Sequence, residues 1–370
     1  MVFKTCHAKT MDTMNIKIIG GGIAGLASAL AVANTGGKAT VFEKSAKFDP
    51  IGAGIQLGPN ANRALQKLGA WDAIKPKTYA PPEIHMRDGR SGKILKRLVL
   101  GNTFEARYSM PYLTAHRADL HRALLEVAGS TSSIKIQSNF EVSDLTDQGF
   151  DGLIAADGVW SKTREKLFPG TKAIMTSDIY FRSLLAMPQN IGDIDFECVN
   201  LWLYPGGHIV HYPVGNPVQL NLIAITNGEE PKTFFKYASQ SMQRVFALEL
   251  EFTKWQSAYV APLSKWSKGN ITLIGDAAHA TLPYLAQGAA MALEDAAELQ
   301  RQLNCGLSFS EMSEKFYSNR IRRVTRLNSS SLRAGKIYHL KNPWALTRNL
   351  ILRQLPTSIV QSQVDWIYKH

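Results

Sequence analysis

The sequence predicts an α/β fold of Rossmann type that carries an inserted mixed β-sheet and ends in a helical part. Three observations lead there. A short apolar strand runs into Gly20-Gly21-Gly22-Ile23-Ala24-Gly25 and then into an Ala- and Leu-rich stretch. A second buried-strand pattern at 270–274 (NITLI) is followed by Gly275-Asp276 and the helical stretch Gly288–Leu303. Between them, 181–226 shows short runs of aromatic and β-branched residues, broken by Pro205-Gly-Gly207 and Val214-Gly-Asn-Pro217. Such punctuation marks an antiparallel or mixed sheet rather than strand–helix alternation.

The first element is Asn15–Ile19, with Ile16, Ile18 and Ile19 as its apolar positions. Residues 23–34 form the helix, which Thr35-Gly-Gly37 stops, and 38–43 (KATVFE) form a second strand. Strand, glycine turn, helix and strand make one βαβ unit, whose parallel strands are buried because a crossover helix covers a face. The glycines match G-x-G-x-x-G at Gly20, Gly22 and Gly25. Gly20 permits the tight turn, Gly22 lets a pyrophosphate approach the backbone, and Gly25 allows close helix–strand packing. The helix start offers free N–H groups and a positive dipole end to phosphates. Glu43 ends the second strand, where an acid accepts hydrogen bonds from ribose hydroxyls. These features mark a dinucleotide site without choosing the dinucleotide.

The bulk properties set limits. With 370 residues, the chain suffices for one large α/β unit or two interleaved domains. Apolar residues make up 45% and charged residues 19%, so a folded globular chain is the expectation. No apolar run reaches the roughly 18–20 residues that span a bilayer. Residues 1–14 contain Lys4, Lys9 and Asp12 but no apolar core, and read as a flexible extension rather than a signal peptide. Cys6, Cys198 and Cys305 are far apart and odd in number, which argues against a disulfide framework or a metal site and suits a reducing cytoplasm. The net charge is +12. The densest basic stretch, Arg320-Ile-Arg-Arg-Val-Thr-Arg326, reads as a solvated helix face; the sharper alternative is steering of anionic ligands or loose membrane attachment. No zinc-finger, RNP or basic-arm pattern points to nucleic acid.

Two further segments carry more information. Residues 153–164 read LIAADGVWSKTR, and 274–296 read IGDAAHATLPYLAQGAAMALEDA. With the glycine turn, they resemble the class A flavoprotein aromatic hydroxylases, in the branch of salicylate hydroxylase, 3-hydroxybenzoate 6-hydroxylase and 6-hydroxynicotinate 3-monooxygenase. The resemblance covers nearly the whole chain from Asn15 on. It implies a glutathione-reductase-like FAD-binding domain, FAD as cofactor, NADH or NADPH as electron donor, and O2 with a small aromatic substrate. The expected organisation is an extension at 1–14, an FAD-binding domain from 15–75, 101–172 and 268–335, a substrate-binding sheet domain from 76–100 and 173–267, and a C-terminal helical segment at 336–370. The expected working unit is a monomer or homodimer, with no nucleic-acid partner, no stable membrane insertion and no metal.

The same resemblance assigns residues. Asp276 would accept from the ribityl hydroxyls, and Gly288 and Ala289 would present backbone N–H groups to the flavin. Pro283 precedes the supporting turn. Arg117 reaches the FAD, Gly52-Ala-Gly-Ile55 lies along the isoalloxazine through Gly54, and Asp157-Gly158 matches the family's DG motif. Ala24, within the glycine turn, and Lys44, next to the acid, complete the cofactor set. Plainer roles remain open at three of these positions: Asp157 as a turn former, Arg117 as a surface helix residue, and Asp276 as a helix N-cap.

For the substrate, residues 201–214 read LWLYPGGHIVHYPV. The branch places a His and, four residues on, a Tyr in this strand, matched by His208 and Tyr212. Residues i and i+4 on a strand share a face, so both would face the substrate while His211 points away. The family's oxygen donor is an electrophilic flavin hydroperoxide, and a phenolate is a better nucleophile toward it than a phenol. A His with a pKa near 6.5 takes that proton at neutral pH. His208 is therefore the expected base, Tyr212 a relay or carboxylate partner, and Gln287 a neighbour of the substrate hydroxyl. Tyr284 and Trp202 are expected as aromatic walls. His208, His211 and His279 also admit structural readings. The segment 138–151 is short for the family and predicts a missing hairpin near the adenine end. Two alternatives stay open: a membrane-associated hydroxylase of a larger quinone-type or polycyclic substrate, using the stretch WALTRNLILRQL, and a catalytically reduced flavin-binding interaction protein.

Overall fold

Strand Asn15–Ile19 pairs in parallel with Lys38–Phe42 on one side and Gly152–Ala155 on the other. In the computed structural model, which describes residues 14–47, 54–145, 149–188, 191, 194–248 and 250–369, this trio is the centre of a six-stranded sheet. Ile134–Gln137 extends it at one edge, and Ile271–Leu273 with the short hairpin strand Ser267–Lys268 at the other. All pairings are parallel except that hairpin. Gly152–Ala155 is buried along its whole length, as a strand covered on both faces must be.

Helix Ile23–Ala33 crosses over this sheet. Nine of its eleven residues are buried, so it is apolar nearly all round and packs between the sheet and helix Gly288–Leu303. Its approach is set by glycine. A Cβ on Gly25 would stand 1.8 Å from the Gly20 carbonyl oxygen, and one on Gly20, at φ +102°, would stand 2.4 Å from that of Ala156. Either contact would push the helix off the strand.

The second sheet is seven-stranded and mixed. Its order is Thr253–Tyr259, Ile174–Ala186, Gln219–Thr226, Gly207–Val214, Val199–Tyr204, Glu83–Asp88 and Ile94–Val99. Only Val199–Tyr204 and Glu83–Asp88 run parallel. One face packs on the helices Pro231–Phe234 and Gln240–Phe246 through Trp202, Ile209, Leu222, Phe235 and Met242. The other face looks toward the Rossmann unit. A short antiparallel pair, Gly54–Leu57 with Leu113–His116, lies between the two. Residues 138–145 and 149–151 form no strand.

The last third is helical. Helix Phe309–Tyr338 starts from a capping box between Ser308 and Glu311. In the basic stretch within it, Arg322 and Arg326 lie on the expected solvated face, whereas Arg320 and Arg323 turn inward. Arg320 and Arg323 are 2% and 7% exposed and pair with Glu294 and Asp295 of helix Gly288–Leu303. A helix packed on a neighbour turns one stripe inward, and charges on that stripe must find partners there. Helix Thr357–Tyr368 closes the chain; Arg107 holds Asp365, and Arg323 donates to the carbonyls of Trp366 and Ile367. Helix Trp344–Gln354 leaves Trp344, Leu346, Leu350 and Ile351 exposed. Among the described residues, no helix is long and apolar enough to cross a membrane.

Candidate active site

A cavity of about 320 Å³ opens between the C-terminal edge of the parallel sheet and the free face of the mixed sheet. That is where open α/β sheets place ligands. Three turns supply one wall. Gly22 and Ala24 begin the first helix, Gly288 and Ala289 begin helix Gly288–Leu303, and Ala156 and Gly158 follow strand Gly152–Ala155. Arg117, Asp276, Pro283 and Gly54 line it as well. The opposite wall comes from the mixed sheet: Tyr180 and Arg182, His208, Val210 and Tyr212, Ile223 and Ile225, and Trp255. Tyr284 closes one side.

The dinucleotide wall fits FAD. A Cβ at Gly22 would meet nothing within 4 Å, nor would one at Gly288, so room is left where phosphates and a flavin would approach. Both helices start without a side-chain cap, which leaves their first N–H groups as free donors. The Asp276 carboxylate opens onto the cavity. The protein packed around it raises its pKa, against the attraction of His279 and Arg117.

Several expected cofactor residues lie outside the cavity lining and act on the turns instead. Glu43 accepts from the Gly21 and Ser45 amides at 2.7 and 2.9 Å, which fixes the glycine turn against the second strand. Lys44 is exposed next to it. Asp157 accepts from Ser161 Oγ at 2.5 Å and from the Thr163 amide at 3.1 Å. Its carboxylate is thus spent on the start of helix Lys162–Leu167, while its neighbour Gly158 lines the cavity. Gly52 and Ala53 lie outside the described residues.

On the substrate wall, alternation along Gly207–Val214 brings His208 and Tyr212 to the cavity and sends His211 to the far face. Trp202 corrects the sequence expectation. It pairs with Ile209 across the strands, which places it on the face away from the cavity, fully buried near His211 and with Arg87 over its ring at 5.0 Å. Sequence periodicity could not supply that register. Gln287 is also placed differently. It is 3% exposed, and its Oε1 accepts from Asn60 Nδ2 at 2.9 Å, inside the polar network that reaches Glu294, rather than lining the cavity. It stands at the N-cap of helix Gly288–Leu303 and turns inward there.

Electrostatics separate the roles. Burial pushes the His208 imidazole well below its ordinary pKa, with His339 and Arg348 adding like-charge pressure. It is therefore neutral at pH 7, and its surroundings resist a net positive charge on the ring. Burial raises Tyr212 to about 12, against the pull of Arg182, so the phenol keeps its proton. No sequence signal marks Arg182. Its guanidinium lies 4.1 Å from the Trp255 ring centroid, its Nε is buried without a partner among the described residues, and it lines the cavity beside Tyr212. An arginine in the middle of a β-strand carries no motif; only the sheet register reveals where it faces.

The acidic residues of the LEDA run also gain a role. Asp295 accepts from the Gly275 amide at 3.0 Å and pairs with His279 at 2.5 Å, while Arg320 holds its other oxygen at 2.7 Å. This locks the turn that presents Asp276. On the far face, Glu83, His85 and Cys198 bring donor atoms within 4.8 Å of one another, a juxtaposition that their spacing in the sequence conceals. These groups have protein partners: His85 lies 2.5 Å from Glu83, Cys198 Sγ contacts Asp195 at 3.3 Å, and burial lifts the thiol to about 12.

Comparison with known proteins decides the family. A family model described as FAD binding domain matches residues 149–327. The chain is 31% identical to 3-hydroxybenzoate 6-hydroxylase of Polaromonas naphthalenivorans over 95% of both chains. It is 30% identical to 6-hydroxynicotinate 3-monooxygenase of Bordetella bronchiseptica, over 85% of this chain and 90% of that one. The chain belongs to the class A flavoprotein aromatic hydroxylases. This hydroxylase is an FAD-dependent monooxygenase whose electron donor is NADH or NADPH. Its fold matches that of Klebsiella pneumoniae HpxO, solved with FAD and uric acid, at a TM-score of 0.84 and 20% identity over 96% of each chain.

Proposed function

We propose that this hydroxylase acts on a small aromatic or heteroaromatic acid that carries a ring hydroxyl, with O2 as co-substrate. One observation carries the reading: a neutral histidine, His208, and an arginine without a partner at Nε, Arg182, face one cavity beside the flavin wall. A base and a cation held on one sheet face match a substrate with a hydroxyl at one position and a carboxylate at another. The relatives named for hydroxybenzoate and hydroxynicotinate support this class.

In this reading FAD is held by the turn at Gly22 and Ala24, by Arg117 and Asp276, and by the amides at Gly288 and Ala289, with Gly54 and Pro283 bordering the ring. When bound and reduced, the flavin supplies an electrophilic oxygen from O2. The protein's own residues do the rest. Arg182, stacked on Trp255, takes the substrate carboxylate; a desolvated charge-assisted pair of this kind orients as well as binds. His208 accepts the ring hydroxyl's proton and makes the ring electron-rich. Tyr212, protonated, donates a hydrogen bond between these two groups. Tyr180, Tyr284 and Ile225 exclude water. Gln287 acts through the Asn60 network on the turn beneath the flavin rather than on the substrate. The working unit is a monomer or homodimer.

The test is a turnover panel. Purified protein should carry FAD absorbance and oxidise NADH or NADPH faster with 3-hydroxybenzoate, salicylate or 6-hydroxynicotinate, with a hydroxylated product formed. His208→Ala should keep FAD and lose product. Flavin-loaded protein that ignores every hydroxylated acid, or His208→Ala turning over at the parent rate, would overturn the reading.

A further inference from the structure

The proposed base lies deep. His208 is 3% exposed, and a proton taken there from a substrate needs a way out of a cavity that the substrate itself fills. The structure offers a set of groups in series. His208 Nδ1 lies 2.8 Å from His339 Nε2. His339 caps the C-terminus of helix Phe309–Tyr338, and its Nδ1 stands 3.5 Å from Asp178 Oδ2 on strand Ile174–Ala186. The side chains of His339 and Asp178 are 14% and 22% exposed. Three groups from three elements thus step from the cavity to the surface.

We propose that His339 and Asp178 form a proton relay that carries the substrate's hydroxyl proton from His208 to solvent and returns it to the product. The inference rests on the reading of His208 as base. In the resting state His208 carries its hydrogen on Nδ1 and donates to His339 Nε2; His339 carries its own on Nδ1, toward Asp178. As the substrate O–H proton bonds to His208 Nε2, the Nδ1 hydrogen moves to His339 Nε2. The His339 Nδ1 hydrogen then passes to water beside the Asp178 carboxylate. One proton leaves the substrate and one reaches solvent. The reverse shift re-protonates the product hydroxyl and resets both tautomers, so the relay needs no ring flip.

The surroundings favour this path. Tyr284 and Tyr338 pack on His208 with ring centroids at 5.7 and 5.4 Å, and Tyr284 also donates to Asp178. Burial raises the pKa of Tyr284, Tyr338 and the neighbouring Tyr180, so these phenols hold their protons. Arg348, held by the Ile337 and Tyr338 carbonyls, opposes accumulation of positive charge on either imidazole. A proton arriving at His339 is drawn onward to the Asp178 carboxylate.

The test uses the FAD-loaded enzyme with 3-hydroxybenzoate, and 15N-histidine NMR as an arm that needs no turnover. His339→Gln and Asp178→Asn should keep FAD absorbance and leave KM within about two-fold. Product kcat should fall at least about ten-fold for His339→Gln, with a larger solvent deuterium effect. Imidazole in the buffer should restore part of the rate to His339→Ala, which a purely structural role would not allow. In the NMR arm, His208 and His339 should titrate as a coupled pair, and Asp178→Asn should move both. Unchanged kcat in His339→Gln beside loss in His208→Ala overturns the relay and leaves the base standing. Unchanged kcat in both removes the base, and the relay with it. Where 3-hydroxybenzoate is not turned over, independent titration of the two rings overturns the relay and coupled titration supports it.

Discussion

The Arg182 guanidinium lies over the Trp255 ring, 4.1 Å from its centroid, and its buried Nε has no hydrogen-bond partner among the described residues. The ring contact holds the group in place, and burial lowers its pKa, with Tyr212 opposing. A cation desolvated without a matching anion costs free energy that a carboxylate ligand recovers. Arg182→Gln should therefore raise KM for a hydroxybenzoate about 10- to 100-fold, the scale of one lost charge-assisted pair. FAD content should stay as in the parent. A phenol without a carboxylate should show no such change; equal losses for both substrates would count against the assignment.

Gly22 and Gly25 predict opposite failures. Space is open around Gly22, so Gly22→Ala should fold with the parent melting temperature yet bind FAD more weakly, because its methyl occupies the phosphate approach. Gly25→Ala should fail to fold stably, since its methyl meets the Gly20 carbonyl at 1.8 Å. Thermal melts with and without added FAD separate the two. Equal melting temperatures with equal flavin content would contradict this account.

Trp202 should matter for stability and not for substrate. Its Nε1 has no partner among the described residues, so Trp202→Phe sacrifices volume but no hydrogen bond. A cost of about 1–3 kcal/mol is expected from the void. Urea melts should show the loss while KM stays within experimental error. A changed KM would return Trp202 to the substrate wall.

Acid should unlock the C-terminal helices. Burial raises the Glu294 pKa, but Arg320 and Arg323 more than offset this and hold it at about 2, below the ordinary 4.5. A depressed carboxylate stabilises the fold fully above its unfolded pKa, and that contribution disappears as pH falls through the folded value. From pH 5 toward pH 2 the enzyme should lose stability worth about 3 kcal/mol from this group. Glu294→Gln should flatten that part of the pH–stability curve while lowering stability at pH 7. A variant with the parent's acid slope would refute the assignment.

Asp295 should link fold to cofactor. Asp295→Asn keeps the shape but weakens the bonds to Gly275, His279 and Arg320, and leaves Arg320 less compensated. Breaking one partner of a buried pair costs about 3–5 kcal/mol. Flavin content should fall with the melting temperature, because the same turn presents Asp276. Flavin bound at the parent level in a destabilised protein would separate the two roles.

Much of this protein was legible in its sequence because local rules determine it. The turn from Gly20 to Gly25, the parallel pairing around Asn15–Ile19 and the helix starts at Ile23 and Gly288 follow from residue spacing and backbone sterics. Strand alternation alone separated His208 and Tyr212 from His211. What only the tertiary structure decided depends on register and on contacts between distant segments. Sheet register turned Trp202 away and Arg182 inward, since a one-residue slip exchanges the two faces of a strand. Packing of helix Phe309–Tyr338 made Arg320 and Arg323 buried partners of Glu294 and Asp295 instead of a solvated face. It also carried His339 to His208, across 131 positions of sequence that no spacing rule connects.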